Sequence, residues 1–162
     1  MNANEPPWLS EARLNLGVRE IGGIQNNQTI VDYWKAIHLG GVKDDETAWC
    51  AAFVGAMLEG RGITSTRSGL ARSYLAWGVP LAAPVVGCVV VFSRDGGGHV
   101  GFVVGRDAAG HLLVLGGNQG DAVCIAAFRT DRVVGYRWPA SVAVPSEPLP
   151  TMASAALSQK ES

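Results

Sequence analysis

The spacing of apolar residues switches once along this chain, near Gly87, and the switch decides its fold class. Before it, apolar residues recur at helical intervals. Trp8 to Leu16 is a short helical pattern after Pro6-Pro7, interrupted by Gly17, Gly22 and Gly23. Asn27 to about Leu39 is a second, with Ile30, Tyr33, Trp34 and Ile37 on one face and Gly40-Gly41 to end it. A third starts after Thr47, places Cys50, Phe53/Val54 and Met57 on one stripe, and closes at Gly60 and Gly62. A shorter helix is expected over Gly69 to Ala76. After Gly87 the pattern is β-rich: Cys88 to Phe92, His99 to Val104, His111 to Leu115, Ala122 to Ala127 and Val133 to Trp138, parted by turn residues. Helices first and strands after predict an α+β fold, with N-terminal helices packed on a mostly antiparallel sheet of about five strands.

With 162 residues, 48% of them hydrophobic, the chain can build one domain with a real core and hardly two. After Pro139 it turns Pro-, Ser- and Ala-rich with little periodicity, so residues 1–139 are expected to be the domain and 140–162 a flexible tail. Net charge is −1, carried by the tail through Glu147, Lys160 and Glu161, while the body balances 12 basic against 12 acidic residues. No Lys/Arg run marks a nucleic-acid or anionic-membrane surface, so nucleic acid is excluded as a partner. Cys50, Cys88 and Cys124 are widely spaced and odd in number, which argues against a disulfide framework. His38, His99 and His111 do not join them at metal-ligand spacing, and neither a metal nor a cofactor is expected. The N-terminus lacks the basic start and apolar core of a signal peptide. No apolar run reaches the ~20 residues that span a bilayer. The expectation is a monomer made in the cytoplasm, exported by something other than a leader of its own.

Cys50 is the residue on which a chemistry can be built. Thr47 is a plausible N-cap, which puts Cys50 in the first turn of the third helix. The positive end of the helix dipole favours the thiolate there by roughly 0.3–1 kcal/mol, and the thiolate is the nucleophile. His99 follows 49 residues later, after Asp95-Gly96-Gly97-Gly98, and Asn118-Gln119 follows 19 residues after that. An imidazole with an ordinary pKa near ~6.5 is suited to take a thiol proton. The glycines beside it would let backbone approach and keep the space by the ring open. The Asn118 side-chain oxygen would accept the Nδ1 proton of His99 and turn Nε2 to the sulfur. Each residue also has a plainer reading: a surface histidine at a strand start, and an Asn-Gly hairpin turn. Trp49 either packs in the core or walls the cleft. Asp44, Asp45 and Glu46 are ordinarily a solvated helix start; beside a thiolate, at least one points away or binds a cationic group of the substrate. Cys88 and Cys124 read as small buried hydrophobes, and His38 and His111 as surface residues.

Four segments, Trp49-Cys50-Ala51-Ala52-Phe53, Gly98-His99-Val100-Gly101-Phe102, Leu115-Gly116-Gly117-Asn118-Gln119 and Gly135-Tyr136-Arg137-Trp138-Pro139, occur in this order. They resemble a phage and bacterial branch of the papain-like cell-wall hydrolases, the CHAP (cysteine, histidine-dependent amidohydrolase/peptidase) and NlpC-type enzymes. The resemblance runs from about Pro7 to Pro139 and takes in Glu20-Ile21-Gly22-Gly23, Asn26-Asn27, Ala71-Arg72-Ser73 and Trp77-Gly78. It implies a papain-like fold, Cys50 as nucleophile, His99 as base and Asn118 as the polar third residue. Trp49, Asp45, Glu46, Gly98 and Gln119 are cleft or oxyanion candidates. Many relatives carry a glutamate two residues before the asparagine; Gly116 stands there, which leaves Asn118 or Gln119 to orient the histidine. The substrate implied is the peptidoglycan stem peptide, cleaved by an N-acetylmuramoyl-L-alanine amidase or endopeptidase. A phage or prophage endolysin with a holin-like or secretion partner fits this reading, acting in the periplasm or on the wall after release. A secreted antibacterial amidase effector, a noncatalytic wall-binding module and another papain-fold acyl transfer or deamidation are the alternatives.

Overall fold

The computed structural model describes residues 5–21, 26–43, 48–94, 97–153 and 155. These form three α-helices followed by six strands: α1 (Pro7–Leu14), α2 (Gln28–Ala36), α3 (Cys50–Glu59), β1 (Val79–Leu81), β2 (Val89–Arg94), β3 (Gly97–Arg106), β4 (Leu112–Gly116), β5 (Cys124–Phe128) and β6 (Val133–Trp138). The five expected strands are present within a residue or two at each end. β1 is the one the hydrophobic pattern did not announce: three residues with Pro80 at the centre, at the edge of the sheet, where a missing N–H is tolerated. The expected helix over Gly69 to Ala76 is a 3-10 helix, Ala71–Ala76.

The helices start and stop for local reasons. Pro7 opens α1 at a position where its absent N–H is not missed, and Trp8, Leu9 and Ala12 face inward. The Asn27 side chain accepts the Thr29 N–H and caps α2, whose buried face is the predicted one, Ile30, Tyr33, Trp34 and Ile37. α2 ends before Gly40-Gly41, because His38 takes the left-handed turn (φ 67). The Leu39 and His38 N–H groups then return to the Trp34 and Lys35 carbonyls. α3 is buried from Cys50 to Leu58, so it is a central helix rather than an amphipathic surface one. Its N-cap is Trp49, with no side-chain cap bond, and not Thr47, which lies outside the described residues. Packing of the Trp49 ring, 0% exposed, sets that helix start in place of a polar cap.

The sheet order is β1-β6-β2-β3-β4-β5, with every pairing antiparallel. α3 packs on β3 and β4, and α1 and α2 pack around α3. The sheet is strongly curled. Phe92 of β2 and Phe128 of β5 stack with centroids 4.3 Å apart although two strands lie between theirs. The curl buries the central strands on both faces: Val89–Phe92, His99–Val104 and Leu112–Leu115 are all inaccessible. The segment after Pro139 returns to the sheet. The Arg106 N–H donates to the Pro150 carbonyl and the Met152 N–H to the Arg106 carbonyl, beyond the end of the β2 pairing.

Candidate active site

α3 delivers Cys50 at its first residue and β3 delivers His99 near its start. They meet where α3 crosses β3, with the His99 imidazole close enough to the thiol to act on its ionisation. Burial pushes the Cys50 thiol up. The hydrogen bond and charge of His99, the Val100 backbone N–H and the charge of Arg94 outweigh it, and the thiol lies below its ordinary value of 9.0. Cys88, buried just before β2 with only backbone hydrogen bonds to lower it, is pushed up by burial to about 12. Two cysteines of equal burial are thus driven in opposite directions by what surrounds them.

The imidazole is 0% exposed and held in plane by rings. His99 and Phe92 are cross-strand partners, 6.3 Å between centroids and 21° between planes, and Phe128 lies 5.4 Å away at 12°. Arg132 closes the other side of this stack, 5.5 Å from the Phe128 centroid and 5.9 Å from that of Phe92. At its edge, His99 Nε2 lies 2.9 Å from Gln119 Oε1, so Nε2 and not Nδ1 meets the amide. This is the reverse of the ring orientation read from sequence. The side chain that meets the ring is that of Gln119, while Asn118 takes the left-handed position (φ 60) of the turn after β4.

The remaining candidates take other places. Trp49 is core and not an accessible cleft wall. Its Nε1 donates to Glu20 Oε1 at 2.7 Å, and its ring packs against Tyr33. It also backs the turn after β4, since a Cβ on Gly117 would come within 2.6 Å of the indole. Gly98 does not leave open space by the imidazole: a Cβ there would meet the Phe92 carbonyl at 3.1 Å and Arg72 Cγ at 3.3 Å. Asp44, Asp45 and Glu46, like Asp95 and Gly96, lie outside the described residues. Glu20 and Arg94 were not singled out for the site by sequence reasoning. Glu20 lay within a quoted motif, but its link to Trp49 spans 29 residues and leaves no local pattern. His111 bonds Asp107 across the β3–β4 turn, away from this cluster. Among the described residues no group of three or more His, Cys, Asp or Glu side chains is placed to hold a metal ion. Nor is any helix among them long and apolar enough to cross a membrane.

A buried thiol with a lowered pKa, an imidazole beside it and a polar side chain behind the imidazole are the groups that a cysteine nucleophile and its base require. The family model of the CHAP domain matches residues 42–118, from the loop before α3 through β4 to Asn118. Over that stretch the likeness to the CHAP/NlpC-type cysteine amidase-peptidases holds, and the α+β architecture is consistent with a papain-like CHAP fold. CHAP domains are in general hydrolases acting on peptidoglycan, by amidase or peptidase chemistry. No curated protein matches the chain.

Proposed function

We propose that this protein hydrolyses an amide bond in the peptide part of peptidoglycan through a Cys50 thioester. The observation that carries the reading is the placement of His99 beside Cys50 at the N-terminus of α3, with the thiol pKa lowered despite burial. His99 takes the thiol proton and the sulfur attacks the carbonyl carbon. The oxyanion that forms lies by the Cys50 backbone N–H, at a helix start where amide donors have no intrahelical acceptor. The imidazolium protonates the leaving amine as the C–N bond breaks. The neutral ring then takes a proton from water, whose oxygen attacks the thioester, and thiolate leaves. The substrate class follows from the CHAP match. On this reading the protein acts at the cell wall, in the manner of a phage or prophage endolysin that a holin-like or secretion partner delivers.

The test is release of soluble muropeptides from purified sacculi. Wild-type protein should release them, and Cys50→Ala and His99→Ala, checked for folding by circular dichroism, should lose at least about 10²-fold in rate. Mass spectrometry of the new ends separates an amidase from an endopeptidase. Undiminished release by Cys50→Ala would overturn the reading.

A further inference from the structure

The ladder between β2 and β3 ends at the pair Arg94 and Gly97, two residues along from the pair Phe92 and His99. Side chains two apart on a strand share a side, so Arg94 stands on the side of Phe92, whose ring stacks on the imidazole. Its charge reaches Cys50 and is among the influences that favour the thiolate. Arg72 of the 3-10 helix comes to the same ladder pair. Its stem lies over Gly98, where a Cβ would come within 3.3 Å of Cγ, and its Nη2 donates to the Gly97 carbonyl at 3.2 Å. Arg132 brings a third guanidinium to this hairpin, donating to the Ser93 carbonyl from Nε and Nη2 at 3.3 and 3.1 Å.

The Gly97 carbonyl fixes the Arg72 group in place without neutralising it. A guanidinium presents five N–H donors in a planar fork. Arg72 is exposed and spends one of them on Gly97, and no carboxylate among the described residues pairs with it. The remaining fork is what a carboxylate takes with two parallel hydrogen bonds. It lies over the residue that precedes His99, with the charge of Arg94 between it and the thiol.

We propose that Arg72 and Arg94 form an anion subsite at the β2–β3 hairpin, which receives a carboxylate of the substrate peptide beside the scissile amide. Arg72 makes the contact, and Arg94 supplies the field that draws the anion toward the thiol. Both are specificity residues and neither transfers a proton. That the anion belongs to a peptide of the cell wall rests on the hydrolase reading; the subsite itself does not, and its first measurement uses no peptidoglycan.

That measurement compares two alkylating agents of nearly equal size, anionic iodoacetate and neutral iodoacetamide. The ratio of their rates at Cys50 cancels the fraction of thiolate, so it reads the local potential and not the thiol pKa. Arg72→Gln and Arg94→Gln each lower the iodoacetate-to-iodoacetamide ratio, and the double variant lowers it about 5-fold at low salt. Arg72→Lys, which keeps the charge, retains the ratio, and in about 1 M salt the wild-type ratio falls toward that of the double variant. The second measurement uses sacculi whose carboxyl groups have been converted to carboxamides with carbodiimide and ammonia. Wild-type protein shows an apparent KM about 10-fold higher on the amidated sacculi than on native ones, with a smaller change in kcat, whereas Arg72→Gln shows the same KM on both. A wild-type alkylation ratio equal to that of the double variant would overturn the proposal, as would an Arg72→Gln protein that prefers native sacculi as strongly as the wild type does. Wild-type protein inactive on both kinds of sacculi, with the alkylation ratio lowered in the variants, would uphold the anion subsite and count against the hydrolase reading alone.

Discussion

A thiol 5% exposed among apolar side chains should be a weak acid, and Cys50 is displaced the other way only because of its neighbours. Removing His99 takes away two of the lowering influences and leaves burial in place. In His99→Ala the Cys50 thiol should therefore move up. Alkylation of Cys50 by iodoacetamide, followed peptide by peptide, should set in at a pH below the ordinary thiol range in the wild type and at a distinctly higher pH in the variant. Cys88, pushed up to about 12, should stay unlabelled at neutral pH in both. An identical profile for Cys50 in the two proteins would mean that the imidazole does not set its reactivity. At this scale the sequence was legible where one residue type has one role. A cysteine at a helix start and a histidine opening a strand were enough to pair Cys50 with His99. Asn118 and Gln119 were not separable, since either amide reaches an imidazole. The folded turn places Gln119 against the ring, and the conformation of an Asn-Gln-Gly turn depends on the strands it joins.

Single elements are tied down by side-chain clasps, and one of them holds the end of α3. The Glu59 carboxylate accepts from the Ser65 N–H and hydroxyl at 3.0 and 2.9 Å, and from Arg67 Nε and Nη2 at 3.0 and 3.2 Å. Arg67 itself sits in the left-handed region (φ 54), which a non-glycine residue adopts only when held. Arg67 above all, with Ser65 and against burial, holds the Glu59 carboxyl down to about 2, from an ordinary 4.5. The folded state therefore binds this proton less readily than the unfolded chain. The stabilisation is fully present above pH 4.5 and is lost as pH falls through the folded value, about 2. Glu59→Gln should lower Tm at pH 7, and the gap to wild type should narrow across that acid window; a gap independent of pH would show that the clasp contributes nothing as an ion pair. None of this was visible in the sequence, because Glu59, Ser65 and Arg67 occupy a polar stretch without periodicity. The element boundaries that did follow from sequence were those with a local cause, such as Asn27 before α2 and Gly62 (φ 78) after α3. The start of α3 did not, since burial of Trp49 and not a polar cap determines it.

The whole molecule is a helix layer closed against a curled sheet, and the site lies where one central helix meets one central strand. That layout was legible from the single change of period near Gly87. The curl was not, because a strand's own residues record which positions are apolar but not how far the sheet rolls. It becomes visible only through pairs such as Phe92 with Phe128. The same holds for the segment after Pro139, whose composition reads as a tail. Two backbone hydrogen bonds join Arg106 to Pro150 and Met152, and Met152 Sδ covers Gly105 so closely that a Cβ there would lie 2.5 Å from it. Each such hydrogen bond is worth about 1 kcal/mol net, and a 1 kcal/mol change shifts Tm by ~2–4 °C in a domain of this size. Ending the chain after Ser146 should therefore lower Tm by roughly 4–8 °C. It should leave the rate of Cys50 alkylation unchanged, since Arg106 is at the opposite end of β3 from His99. An unchanged Tm would mean that the segment does not contribute to the fold. A fall in the alkylation rate would mean that β3 transmits the loss along its length to His99.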